Sequence, residues 1–222
     1  MGRRRRLFFG ESERIMTKKE LYEILKERFE QVLKEHQIEN DHLSVSCRAL
    51  TPEEAIGKTK RTDYPILTGK DVMIQAENKG VKGQAFTDAP STFEGMLEDI
   101  LQMDIEHNPH DRGIFIATMN AVLASLGMCT GTVHCRKEGP ELCAQDMKQF
   151  LEINYPDVQK IALVGFQPSL LEMLSKSKYE VRVMDLNPNN IGQVKFGICV
   201  EDGNVMKEEI RDSYAELILC SG

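Results

Sequence analysis

Between Gly131 and Cys143 the chain runs Gly-Thr-Val-His-Cys-Arg-Lys-Glu-Gly-Pro-Glu-Leu-Cys, and no other segment concentrates so many groups able to bind a metal or do chemistry. His134, Cys135 and Cys143 are ligand types for a soft or borderline metal ion. Glu138 and Glu141 could add oxygen ligands or act as a base. The two cysteines are separated by seven residues, which is not the close Cys pair of zinc ribbons and fingers. Successive side chains of a strand point to opposite faces, so His134 and Cys135 converge only if the segment loops. The structural alternative is that the thiols are small packing groups and the acids open a helix, where the dipole favours negative charge. Both readings stay open at this stage.

A second group lies downstream. Val164-Gly165-Phe-Gln-Pro-Ser169 joins a predicted strand to a predicted helix, and backbone N–H groups at a helix start attract anions. Asp185 follows Gly165 by twenty residues, where a Rossmann fold places the acid that holds a ribose. Gly165 nevertheless stands alone where the dinucleotide fingerprint has three glycines, and Pro168 removes one N–H donor. The alternative is a tight turn at Gly165 and an ordinary strand end at Asp185. Ligands of such sheets bind beyond the C-terminal strand ends, so Gly165, Asp185 and Ser221 are expected along one edge as cofactor-binding residues. Asp88, before a predicted helix, and Asn120, on an apolar helix, are cleft candidates. His107 and His110 fall in a predicted polar loop with Asp111 and Arg112. There is no Gly-x-Ser-x-Gly, no Gly-Lys-Ser/Thr phosphate loop and no His-Glu-x-x-His, and no catalytic residue is assigned.

The elements that must position these residues follow from periodicity. Thr17–His36 predicts an amphipathic helix with Leu21, Ile24, Leu25, Phe29, Val32 and Leu33 on one face. Leu43–Ala49 alternates as a strand, and Thr51-Pro52 opens a short helix. Residues 57–70 read as a loop. Val72–Ala76 and Gly83–Thr87 predict a β-hairpin with Asn or Gly at its turn. Ser91 and Glu94 form a capping-box signature before a helix carrying Phe93, Met96, Leu97, Ile100 and Leu101. Residues 107–113 read as a loop, and Ile114–Leu126 as a buried helix ended by Gly127. Beyond a helix over Glu141–Asn154 the grammar changes. Strands over Lys160–Gly165, Tyr179–Asp185, Gly197–Val200 and Ala215–Gly222 alternate with helices over Pro168–Lys176 and Val205–Arg211. That alternation predicts a parallel sheet with right-handed crossovers.

The 222 residues suffice for one large domain or two small ones, with 41% apolar and 28% charged residues as in globular proteins. A net charge of −7 argues against nucleic acid and anionic membranes as partners. No apolar run approaches the roughly 20 residues of a membrane span. The basic start has too short an apolar run for a signal peptide, so residues 1–16 are expected to be a disordered leader. The six cysteines are then expected as free thiols or metal ligands in a reducing cytoplasm.

Several phrases together resemble a known family. They are Gly83-Gln-Ala-Phe-Thr-Asp88, Arg112-Gly-Ile-Phe-Ile-Ala-Thr-Met-Asn-Ala-Val-Leu123, Gly131-Thr-Val-His-Cys-Arg136, Gly139-Pro-Glu-Leu-Cys-Ala144, Val164-Gly-Phe-Gln-Pro168 and Asp185-Leu-Asn-Pro188. Over roughly residues 17–222 the chain is similar to the heavy-metal chelation family, domains of unknown function from anaerobic bacteria and archaea. The resemblance implies an α/β fold: an α+β enolase-N-terminal-like domain (17–130) followed by a Rossmann-like parallel-sheet domain (131–222). It also implies a metal or small-molecule site in the cleft between them. Family members continue past the equivalent of Ser221-Gly222, so the second domain is expected to be incomplete, with a C-terminal truncation. The expected ligand is a metal ion or metal-chelating small molecule. The rivals are an enzyme using a nucleotide or adenosyl cofactor at the Gly165 edge, and a non-catalytic module pairing through an open sheet edge, for instance as a homodimer.

Overall fold

The computed structural model describes residues 18–38, 44–69, 71–129, 135–205 and 214–220. Residues 206–211 of the predicted helix over Val205–Arg211, the leader expected over residues 1–16, and the expectations placed on Leu43, His134, Ser221 and Gly222 lie outside them. The fold is mixed α/β, with two sheets and helices packed on each.

The first sheet is antiparallel, in the order β3-β2-β1-β4, built from β1 (Ser44–Ala49), β2 (Val72–Asn78), β3 (Val81–Thr87) and β4 (Phe93–Met96). The β2–β3 hairpin turns on Lys79-Gly80, both at positive φ (51° and 78°), the conformation of a type I′ two-residue turn. Two helices, α1 (Lys18–Glu35) and α4 (Pro109–Ser125), share a core with this sheet, where Phe29 and Phe115 meet edge to face at 5.6 Å. The buried contacts of α1 come from Phe29 and Leu33. Leu21 and Ile24, expected on its inner face, are exposed.

Two local readings are corrected. Phe93–Met96 is a strand rather than the first turn of a helix, because β1 offers an open edge that it completes, pairing Cys47 with Phe93 and Ser44 with Met96. The helix that follows, α3 (Leu97–Leu101), is a single turn started by the Met96 N–H donating to Asp99 Oδ2. Residues 109–113 belong to α4 and not to a loop. Asn108 accepts from the His110 and Asp111 N–H groups and Pro109 occupies the first turn, a capped start in which the missing proline N–H leaves nothing unsatisfied.

Helix α4 approaches the sheet through a stripe of small residues, Gly113, Ala117 and Ala121. A methyl group on Gly83 of β3 would lie 2.1 Å from the Ala121 nitrogen and 2.4 Å from the Ala117 oxygen. Gly83 is thus the point where helix and strand backbones touch.

The second sheet has the order β7-β8-β6-β5-β9, from β5 (Lys160–Val164), β6 (Glu180–Asp185), β7 (Val194–Lys195), β8 (Ile198–Asp202) and β9 (Leu217–Cys220). All pairs are parallel except β7–β8. The central β5 is buried at Ile161, Ala162 and Leu163, as its apolar run predicts. Leu151 of α5 (Gly139–Asn154) and Leu171 and Leu174 of α6 (Pro168–Ser175) pack with Ile161, Leu163, Val183 and Val200. The short helix α2 (Pro52–Ile56) follows β1 and carries a complete capping box between Thr51 and Glu54. Among the described residues no helix is long and apolar enough to cross a membrane.

Candidate functional site

The two sheets meet along the segment from α2 to β2, which behaves as a strap. At its start the Lys137 N–H donates to the Ile56 carbonyl at 2.7 Å and Arg136 reaches the Glu54 carbonyl at 3.1 Å. At its end Asn187 Nδ2 donates to Asp71 Oδ1 at 3.3 Å. Between them Arg61 chelates Asp63 with two nitrogens (2.8 and 2.6 Å), pairs with Glu172 of α6 and lies 5.5 Å over the Phe196 ring. The guanidinium is raised above its ordinary pKa by Asp63 and Glu172. Asp63 is correspondingly lowered, first by Arg61.

Tyr64 is the most deeply placed polar group of the strap. Its hydroxyl donates to Glu141 Oε1 at 3.1 Å and lies 2.9 Å from Ser169 Oγ, which donates in return. One phenol therefore joins α5 to the first turn of α6. Burial pushes its pKa up to about 12.

The α5 wall carries the expected metal-binding residues. Glu138 is the residue before α5; it is exposed and 3.8 Å from exposed Lys60, an ion pair of little energetic weight. Glu141 is half-buried, and its second oxygen, Oε2, is buried without a partner among the described residues. Cys135 is half-buried and Cys143 exposed. The Cys135 thiol is pushed up by burial and next by the neighbouring Cys143 thiol, with which its side chain interacts. Cys135 packs on Gly139, where a Cβ would lie 3.3 Å from its own. The segment before α5 thus brings the Cys135 thiol to Cys143 in the second turn of the helix. No group of three or more His, Cys, Asp or Glu forms a metal cluster among the described residues. His134 lies outside them.

The opposite wall is the edge of the second sheet. Gly165 takes φ +88°, a conformation open to glycine, and starts the turn into α6. Asp185 faces this turn: its carboxylate accepts the Phe166 N–H at 2.9 Å, the Asn187 N–H at 2.7 Å and Asn190 Nδ2 at 3.1 Å. Gln167 Oε1 accepts the Leu170 N–H and caps α6. The acid read as a ribose ligand is therefore bonded to its own chain, and the start of α6 is occupied by Gln167 and by Tyr64 through Ser169.

The two cleft candidates belong to the first sheet and the helix packed on it. Asn120 Nδ2 donates to the Gln84 carbonyl at 2.8 Å and ties α4 to β3. Asp88 is exposed, one residue past the Val72–Thr87 pair, at the hairpin end that also holds Asp71. The His107 ring bonds Asp104, and the His110 ring contacts the Pro90 carbonyl. Arg61 and Tyr64 were not singled out by sequence reasoning. The available signal was a polar loop, and loops carry function more often than their share, but nothing in residues 57–70 says which side chain turns inward.

No protein-family model and no curated protein matches the chain. Among solved structures it is similar to a protein of unknown function from the DUF364 family of Pyrococcus horikoshii, at 13% identity and a TM-score of 0.41, with 88% of this chain covered. The chain spans 66% of that protein's length.

Proposed function

We propose that this protein binds a thiophilic metal ion, or a small molecule carrying one, at the junction of its two sheets. The observation that carries the reading is the Cys135–Cys143 pair, two soft donors that interact where the chain enters α5. Glu141, two residues before Cys143 in the same helix, offers a buried oxygen with no described partner. Two thiols suit a soft ion, and His134, next to Cys135 in sequence, is the natural further donor. In this reading residues 17–130 and 131–222 act as two domains, enolase-N-terminal-like and Rossmann-like, and the strap holds the cleft between them.

The test is titration of the reduced chain with Cd²⁺ in competition with a chromophoric chelator, followed by thiolate-to-metal absorbance. About one ion per chain is expected. Cys135→Ser and Cys143→Ser should each weaken binding at least about tenfold, or 1.4 kcal/mol. Unchanged affinity in both variants, or no uptake by the parent chain, overturns the reading.

A nucleotide at the strand ends is the second reading. What favours it is the parallel order β8-β6-β5-β9, in which β6 and β9 flank β5 on opposite sides, the reversal of strand order at which such sheets open a crevice beyond β5 and β9. Thermal stabilisation by nucleotides without Cd²⁺ uptake would select it.

A further inference from the structure

We propose that Cys135 and Cys143 are a reversible disulfide site, closed by a low-molecular-weight disulfide, and that closure withdraws the thiol donors from the junction. The consequence for metal rests on the function proposed above; the disulfide itself does not.

The geometry is set by Gly139, the first residue of α5. Residues four apart on a helix share a face with Cβ atoms about 5–6 Å from one another, so Cys143 stands one turn above Gly139 on the same row. The missing Cβ of Gly139 leaves room for Cys135 to lie against that row, since a methyl there would meet Cys135 Cβ at 3.3 Å and Sγ at 3.8 Å. The Cys135 side chain interacts with that of Cys143 from this position, and a disulfide between them needs their Cβ atoms about 3.5–4.5 Å apart, an approach that the turn carrying Cys135 must supply. That turn is held by the Gly139 N–H donating to Arg136 O at 2.8 Å, with Lys137 at φ +56°. Of the remaining thiols, Cys129 is exposed and six residues before Cys135 in sequence, and a link through it is the alternative that a peptide map tells apart; the other three are poorly placed to compete. Cys47 is buried in β1. Cys199 and Cys220 sit on β8 and β9, with β6 and β5 between them, about 14 Å apart at the ordinary strand spacing.

Closure is thiol–disulfide exchange. The exposed Cys143, as thiolate, attacks one sulfur of the small disulfide. That S–S bond breaks, and the first small thiol leaves, taking up the proton Cys143 gave. Cys135 Sγ then attacks the Cys143 sulfur of the mixed disulfide, and the second small thiol departs with the Cys135 proton. Two protein thiols are oxidised by two electrons, and one small disulfide is reduced to two thiols. A small dithiol reverses the sequence.

The experiment incubates the full chain with oxidised glutathione, quenches by acid and alkylation, and maps peptides by mass. A Cys135–Cys143 link is expected, reversible by dithiothreitol. Cys135→Ser should instead retain glutathione on Cys143, because the resolving thiol is gone. Gly139→Ala, which pushes Cys135 off the row, should slow closure several-fold. Absence of the 135–143 link, or glutathione on Cys143 no more persistent in Cys135→Ser than in the parent, overturns the proposal. Cd²⁺ titration of both redox forms separates the two ideas. A link that forms in a chain taking up no Cd²⁺ overturns only the metal reading, whereas equal uptake by both forms overturns the coupling between them.

Discussion

Asp185 shows that a residue's type and position leave its partners unstated. An acid at a strand end, twenty residues past a glycine, has the spacing of a ribose ligand, yet its two oxygens accept from Phe166, Asn187 and Asn190. It fastens the β5–α6 turn to the end of β6. Asp185→Ala leaves those donors without their acceptor, and stability should fall by about 2 kcal/mol, read as a lower urea midpoint at unchanged slope. Asp185→Asn keeps the shape and one acceptor oxygen and should fall between the two. The opposite lesson comes from Cys135 and Cys143. Their spacing matches no familiar metal motif, but the start of α5 brings them together. Sequence distance is a poor guide once a turn and a helix intervene.

At the scale of elements, two glycines in one hairpin do different things. Gly80 has a positive φ of 78° and open space around its Cβ position, so Gly80→Ala meets only backbone strain, about 1–2 kcal/mol. Gly83 has ordinary backbone, but a methyl there collides with the main chain of α4. Gly83→Ala should therefore cost more than about 3 kcal/mol by separating helix from strand. Chemical denaturation of both variants, with far-UV circular dichroism to confirm the fold, should preserve that ranking; equal losses would mean that α4 can shift at no cost. The hairpin and the central β5 were legible because alternation and continuous apolar runs are local signals. β4 was not: its residues carry a helix-capping signature, and the need of β1 for a partner overrode it. The start of α4 was legible in principle, since Asn108-Pro109 is a cap followed by a first-turn proline, but the flanking His and Asp residues read as loop.

At the scale of the molecule, the strap decides how the two sheets are held. Arg61 joins three parts of the chain: its own loop through Asp63, α6 through Glu172, and the β7–β8 turn through Phe196. Arg61→Ala should destabilise by about 2 kcal/mol, between the values of exposed and buried ion pairs. Part of this is pH-dependent. Asp63 is held below its ordinary value of 3.8, first by Arg61. A depressed carboxylate contributes stability that is present above that value and is lost as pH falls through the folded-state pKa. The gap between parent and Arg61→Ala should thus be full at pH 7 and narrow below about pH 4. A gap independent of pH down to acid unfolding would assign the effect of Arg61 to its packing on Phe196 and Tyr64 alone.

By itself the amino-acid sequence determined the local grammar: an amphipathic first helix, a hairpin, a buried apolar helix, and an alternation that makes the second sheet parallel. These follow from periodicities of 2 and 3.6 and from turn chemistry, which act over a few residues. Only the tertiary structure decided which polar groups meet. Tyr64 reaches Glu141 and Ser169 across 77 and 105 positions of chain, and Arg61 reaches Glu172 across 111. Such contacts depend on how two separately packed sheets are strapped together, and no local pattern encodes them.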